Sequence, residues 1–126
     1  MVLNESAEMY LETIYTLSMA KANVRSIDVA EALGYSRPSI SRAVGLLKKD
    51  GYLLMDEDGF LILTDGGKAV AEKIYERHTV LTAALMALGV DEDTAAEDAC
   101  KIEHVISDKT LDAITKHMKQ YGKGTV

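Results

Sequence analysis

The stretch Ser26–Lys49, SIDVAEALGYSRPSISRAVGLLKK, decides the fold. It reads as two short helices joined by a tight turn. Ser26 can cap a helix over Ile27–Leu33, with Ala30 and Leu33 turned inward and Gly34 ending it. Ser36 can cap the next helix, which tolerates Pro38 in its first turn. Ile40, Val44 and Leu47 recur at i, i+4 and i+7, so that helix has one apolar stripe, and it stops at Asp50-Gly51. Two short apolar runs follow, Tyr52–Met55 and Phe60–Leu63, separated by Asp56-Glu57-Asp58-Gly59. Asp-Gly between apolar runs marks a hairpin. Helix, turn, helix and hairpin together make a winged helix-turn-helix pattern.

The flanks are helical. Before the decisive stretch, Tyr10, Leu11, Ile14, Tyr15 and Leu17 recur at helical period over residues 5–20, and Lys21-Ala22-Asn23 reads as a loop. After it, a long helix starts at Thr64 or Asp65. Its inner face is Val70, Ile74, Leu81, Leu85 and Leu88, and Gly89 terminates it. Asp91 caps a fifth helix running to about Ile106. Ser107 caps a sixth, with Leu111, Ile114, Met118 and Tyr121 on one face, and residues 122–126 are expected to fray. The expected fold is mainly α: a winged helix-turn-helix domain over residues 1–72, then an all-helical domain over residues 73–126.

The second helix of the motif is basic inside an acidic protein. The 126 residues carry a formal net charge of −6, yet residues 37–49 contain Arg37, Arg42, Lys48 and Lys49 and no acid. With Ile40, Val44 and Leu47 against the core, the opposite face shows Arg37, Ser41, Arg42, Gly45 and Lys48 or Lys49. Small and basic residues suit a helix lying in a major groove. Arginine can pair bidentately with guanine edges, serine can reach a base or a phosphate, and lysine neutralises phosphate. A solvated amphipathic helix would carry a similar face, but the turn before it and the hairpin after it favour DNA binding. Arg37, Pro38, Ser39, Ser41, Arg42 and Lys48 are the expected DNA-binding residues.

A second constellation lies in Asp98-Ala99-Cys100-Lys101-Ile102-Glu103-His104. Cys100, Glu103 and His104 stand at i, i+3 and i+4, one face of a helix beside the apolar Ala95, Ala99, Ile102 and Ile106. Thiolate, carboxylate and imidazole are all metal ligands once deprotonated. The plain alternative is a core cysteine beside a solvated Glu-His pair. Met9 and Glu12 stand at i and i+3 on the first helix, with Met9 offset from the main apolar stripe. His78 falls on the inner face of the long helix, where a lone histidine is ordinarily a core residue. His117 has no partner at recognisable spacing.

These segments resemble the metal-dependent repressors of the diphtheria toxin repressor family, which has iron-responsive and manganese-responsive branches. Glu8-Met9-Tyr10-Leu11-Glu12-Thr13-Ile14-Tyr15 is similar to the family's first helix. Val29-Ala30-Glu31-Ala32-Leu33 and Ser39-Ile40-Ser41 resemble its helix-turn-helix, and Asp98-Ala99-Cys100 with Glu103-His104-Val105-Ile106-Ser107-Asp108 resembles the ligand helix of its iron branch. The resemblance implies an iron-type metal site at Met9, Cys100, Glu103 and His104. It also implies manganese-type ligands at Glu12 and His78. Sulfur ligands suit Fe²⁺ better than Mn²⁺, which prefers oxygen. The implied metal is therefore Fe²⁺, with Mn²⁺ as the alternative and Co²⁺, Ni²⁺ or Zn²⁺ as surrogates in vitro. Thr82 and Ala96 stand where the iron branch's ancillary site expects an acid and a histidine. The chain length implies a short form without the family's SH3-like domain. The implied partners are a palindromic double-stranded DNA operator and a second copy of the chain, in a homodimer.

Composition narrows the rest. Apolar residues make up 48 % and charged residues 27 %, the balance of a globular chain. The start, Met1-Val2-Leu3-Asn4-Glu5, lacks the basic and apolar regions of a signal peptide, so a cytoplasmic protein is expected. One cysteine excludes an internal disulfide. A thiol redox sensor with Cys100 activated by His104 is a rival reading, but it needs an exposed thiolate, and Cys100 is expected to be partly buried. An enzyme built on a Cys-His pair lacks a third orienting group and oxyanion donors, so no enzymatic activity is expected. The acidic wing tip should be repelled by phosphate, which places it away from a bound duplex. Asp58→Lys is accordingly expected to leave DNA affinity unchanged in a fluorescence-anisotropy titration. A large gain would show that the tip lies against phosphate.

Overall fold

The computed structural model describes residues 4–121; the sequence-based reading of Met1–Leu3 and of the fraying end at 122–126 lies outside these described residues. Six helices and one two-stranded antiparallel sheet follow in the order α1 (Glu5–Ala20), α2 (Ser26–Leu33), α3 (Arg37–Lys49), β1 (Leu53–Met55), β2 (Leu61–Leu63), α4 (Asp65–Ala87), α5 (Glu92–Ile102) and α6 (Asp108–Tyr121). The chain divides into two compact units, one up to Glu72 and one from Lys73. No helix among the described residues is long and apolar enough to cross a membrane.

The first unit is a winged helix-turn-helix. Leu11 and Ile14 of α1, Val29 and Ala30 of α2, and Ile40, Val44 and Leu47 of α3 meet Leu53, Leu61 and Ala71 in one core. The i, i+4, i+7 stripe of α3 is thus the face that the core takes. The α3 start is as the sequence indicates: the Ser36 hydroxyl accepts from the Ser39 N–H, and Pro38 occupies the first turn. The α2 start differs. Ser26 is already helical, and the Asp28 carboxylate reaches back to accept from the Arg25 N–H at 2.8 Å. Gly34 ends α2 in the left-handed conformation, with φ 70°.

The wing is tied at both ends. Leu53 pairs with Leu63, Leu54 with Ile62 and Met55 with Leu61. The Leu61 N–H donates to the Val24 carbonyl at 2.7 Å, and the Arg25 guanidinium sits 4.6 Å from the centre of the Phe60 ring. At the tip, Asp56 Oδ1 accepts from the N–H groups of both Asp58 and Phe60, each at 2.9 Å. One of the three tip acids is therefore a turn-forming residue rather than free surface charge. Past β2, Thr64 both donates to the Gly51 carbonyl and accepts from the Gly67 N–H, capping α4.

In the second unit, Ile74 and Leu81 of α4, Ala95 and Ala99 of α5 and Met118 of α6 are the buried apolar residues. Asp91 caps α5 by accepting from the Thr94 N–H, and Ser107 does the same for Thr110 at the start of α6. Three expectations shift here. Leu88 is 81 % exposed rather than inward, because α4 stops at Ala87, ahead of Gly89 with φ 103°. Tyr121 is exposed at the end of α6. Most consequentially, α5 ends at Ile102 rather than near Ile106, which leaves Glu103 as its C-cap and His104 in the connection to α6.

Gly67 is the tightest backbone approach in the first unit. A Cβ there would lie 2.0 Å from the Tyr52 carbonyl oxygen. Gly67→Ala must move backbone against backbone and is expected to cost about 1–3 kcal/mol, read as a lowered urea midpoint of unfolding. Gly66→Ala, whose added Cβ meets nothing closer than 3.8 Å, serves as the control.

Candidate metal centre and nucleic-acid interface

Glu103 organises the second unit's polar interior. Its side chain has no exposed surface, and neither carboxylate oxygen accepts a hydrogen bond from the described residues. His78 Nδ1 lies 3.1 Å from Glu103 Oε2, and His104 Nε2 lies 3.4 Å from Glu103 Oε1. These are ion-pair distances without the angles of hydrogen bonds. Ligand atoms of His78, Cys100 and Glu103 all fall within 4.8 Å of one another. A buried carboxylate with open lone pairs, beside a ring nitrogen and a sulfur, is an unfavourable arrangement without a counter-charge. The same arrangement fits a divalent cation, whose ligands are nitrogen, oxygen and sulfur lone pairs converging on one point.

His78 comes from α4, Cys100 from the last turn of α5, and Glu103 and His104 from just past its end. Glu103 keeps helical backbone, its N–H donating to the Ala99 carbonyl at 2.9 Å, so Cys100 and Glu103 share a face as their spacing implied, while His104 follows in the turn. Cys100 is exposed rather than partly buried. Contact with Cys100 and then with the Glu103 carboxylate pushes the His78 imidazole up to about 10, against the opposing effect of burial. Of the remaining expected ligands, Met9 and Glu12 lie in the first unit, at i and i+3 of α1. The Tyr35 hydroxyl lies 3.8 Å from the Met9 sulfur, and the Tyr10 and Tyr35 rings meet edge to face beside it.

On α3, Arg37, Pro38, Ser41, Arg42, Gly45 and Lys48 are exposed. Ser39 is half-buried, and its hydroxyl accepts from that of Ser36 at 2.9 Å, so it is engaged in the helix cap. One residue of the metal region escaped the sequence reading. Arg77 is only 8 % exposed and donates to two backbone carbonyls and a carboxylate around Glu103. Its only sequence signal is a charge on the inner side of α4, beside His78.

Comparison with known proteins gives the family. Residues 2–61 match the family described as "Iron dependent repressor, N-terminal DNA binding domain", and residues 64–123 match "Iron dependent repressor, metal binding and dimerisation domain". The chain is 38 % identical over 109 residues to the HTH-type transcriptional regulator MntR of Bacillus subtilis (strain 168), covering 86 % of this chain and 77 % of that protein. The chain belongs to the diphtheria toxin repressor family. Membership in this family of metal-dependent transcriptional repressors sets it with regulators rather than enzymes. A second MntR, from Bacillus pumilus (strain SAFR-032), is equally identical over 86 % of this chain and 76 % of its own. Among solved structures, a manganese-dependent transcriptional repressor in complex with manganese superposes with a TM-score of 0.84 at 28 % identity, covering 90 % of this chain and 52 % of that one. The manganese regulator SloR gives 0.80 at 29 % identity, covering 94 % and 55 %. The chain spans about half the length of these two solved relatives.

The raised His78 value fixes a pH dependence for the metal-free protein. The unfolded imidazole titrates near 6.5, so the folded state retains a proton that the unfolded state has lost between about 6.5 and about 10. The stabilisation is complete below about 6.5 and disappears as pH rises through about 10. Urea unfolding of metal-free protein at pH 6, 8 and 10 is expected to show stability falling with pH, and His78→Gln should reduce that slope.

Proposed function

We propose that the protein represses transcription as a homodimer on a palindromic DNA operator, and that a divalent metal held at His78, Cys100, Glu103 and His104 governs its DNA binding. The observation that carries this reading is the convergence of nitrogen, sulfur and carboxylate ligand atoms on the buried Glu103. In the same reading, Met9 and Glu12 of α1 complete the ligand set. Bound metal supplies the positive charge that offsets the acidic ligands. Cys100 must shed its thiol proton and His78 its ring proton to serve as ligands. Metal dependence then follows if the DNA-competent arrangement of the two units binds the cation more tightly than the others do; without that difference nothing shifts.

On DNA, α3 is the reading helix. In this reading Arg37 and Arg42 pair with base edges, Ser41 reaches a base or phosphate, and Lys48 neutralises phosphate; the exposure of all four on α3 supports it. Pro38 and Ser39 lie in the first turn of α3, which Ser36 caps, and in this reading they hold the end of the helix that approaches the duplex. A dimer presents two such helices, and its two-fold axis requires a palindromic site. The second unit offers the surface for pairing: a hollow of about 620 Å³ lined mainly by apolar side chains of α4 and α6, among them Leu85, Leu88, Ile114 and Met118. The family description of this segment as a dimerisation domain supports that use.

The thiol of Cys100 favours Fe²⁺ as the metal. Solved relatives named for manganese favour Mn²⁺ as the second reading. An anaerobic Co²⁺ titration of wild type and Cys100→Ala separates them. A sulfur-to-cobalt charge-transfer band, lost in the variant, is the result expected for the iron-type set. Saturable binding without the band would move the site to Glu12, His78, Glu103 and His104 and toward Mn²⁺. Glu103→Gln is expected to lose metal-stimulated operator binding, at least about tenfold by anisotropy, while remaining dimeric. No Co²⁺ binding by wild type, with operator binding abolished by peroxide in metal-free protein, would overturn the reading in favour of a Cys100 thiol sensor.

A further inference from the structure

We infer that Arg77 is the positioning residue of the metal centre, fastening the segment that carries Glu103 and His104 to the helix that carries His78. The inference rests on the metal-dependent reading above and deepens it. Two ligands of the site, Glu103 and His104, lie beyond the last turn of α5, where a helix leaves its final carbonyls without intrahelical partners. A ligand in such a segment is only as fixed as the carbonyls around it. Arg77 supplies their donors. Its Nη1 donates to the Glu103 carbonyl at 3.1 Å and to the Ile106 carbonyl at 2.9 Å, and its Nη2 donates to the Asp108 carboxylate. The segment is closed from its own side as well: the N–H groups of Val105 and Ile106 both donate to the Ile102 carbonyl at 3.0 Å.

The placement is specific to the site. Arg77 and His78 are neighbours on α4, so their side chains leave the helix about 100° apart. His78 faces the Glu103 carboxylate while Arg77 grips the Glu103 carbonyl. One residue is thus held from both ends by two consecutive residues of another helix. A guanidinium can fork across two carbonyls and a carboxylate; an ammonium offers one charge centre and cannot span them. A cation as buried as Arg77 needs a charged partner, and Asp108, the first residue of α6, provides it. Lys73 adds a second cation 3.5 Å from the Asp108 carboxylate. Asp108 is itself exposed, and asparagine at that position keeps an oxygen that can accept from Arg77, so Asp108→Asn removes the charge and opens no cavity.

The test uses Arg77→Lys and Asp108→Asn in the full chain, with Co²⁺ as the probe. Both variants are expected to bind Co²⁺ about 10- to 100-fold more weakly than wild type, with the same absorption spectrum at saturation. In metal-free protein, amide hydrogen exchange at Val105 and Ile106 is expected to quicken. A residue needed only for folding would lower the unfolding midpoint and leave the Co²⁺ affinity of the folded protein unchanged. Should Arg77→Lys fail to fold, Asp108→Asn carries the test. Affinity within about twofold of wild type in the folded variants would overturn the inference while the metal reading stands. Wild type that binds no Co²⁺ would overturn both.

Discussion

A carboxylate with no exposed surface is the costliest group in this protein. An ionised Glu103 in the interior has lost its water, and no described residue donates a hydrogen bond in return. What surrounds it makes sense as compensation. His78 and His104 bring ring nitrogens to within 3.1 and 3.4 Å, and Cys100 brings a sulfur. The His78 imidazolium offsets part of the penalty in the metal-free protein. In the proposed reading a bound cation would take over that role, which would tie occupancy to the energy of the fold. That link is what a regulator requires, since a ligand shifts a conformational balance only by its differential affinity.

The other half of the molecule solves a different electrostatic problem. A chain of net charge −6 is repelled by nucleic acid at long range. The first unit gathers Arg37, Arg42, Lys48 and Lys49 on α3 and keeps acids off it, so attraction is concentrated on that helix. The apolar face of the same helix supplies Ile40, Val44 and Leu47 to the core. Packing therefore fixes how the basic face is presented. Specific docking is favoured and loose adhesion is not.

Sequence and structure part company in instructive places. The helix-turn-helix is legible because each of its signals is local: the Ser36 cap, Pro38 in the first turn, the α3 stripe and Gly34 at the close of α2. The end of α5 is not. Ala95, Ala99, Ile102 and Ile106 keep helical period, and Glu103-His104-Val105 contains neither glycine nor proline. Helical backbone stops there while a residue 26 positions earlier, Arg77, takes up the Glu103 carbonyl. No local pattern encodes that. The candidate ligand types and the face shared by Cys100 and Glu103 were visible from their spacing, whereas the turn that carries His104 was not. His78 looked like an ordinary core histidine by position, and the family resemblance alone marked it as a candidate ligand. The exposure of Cys100 was also hidden, because spacing gives a helical face but not what covers it.

The wing tip has an evolutionary consequence. Asp56 is committed to the turn through two backbone hydrogen bonds, whereas Glu57 and Asp58 are exposed and their side chains carry no such duty. Descendants of this sequence can therefore change the sign of charge at two adjacent positions and keep the hairpin. The sign of the wing's charge is thus a trait that drift can reverse in single steps, because the side-chain hydrogen bonds of the turn come from Asp56.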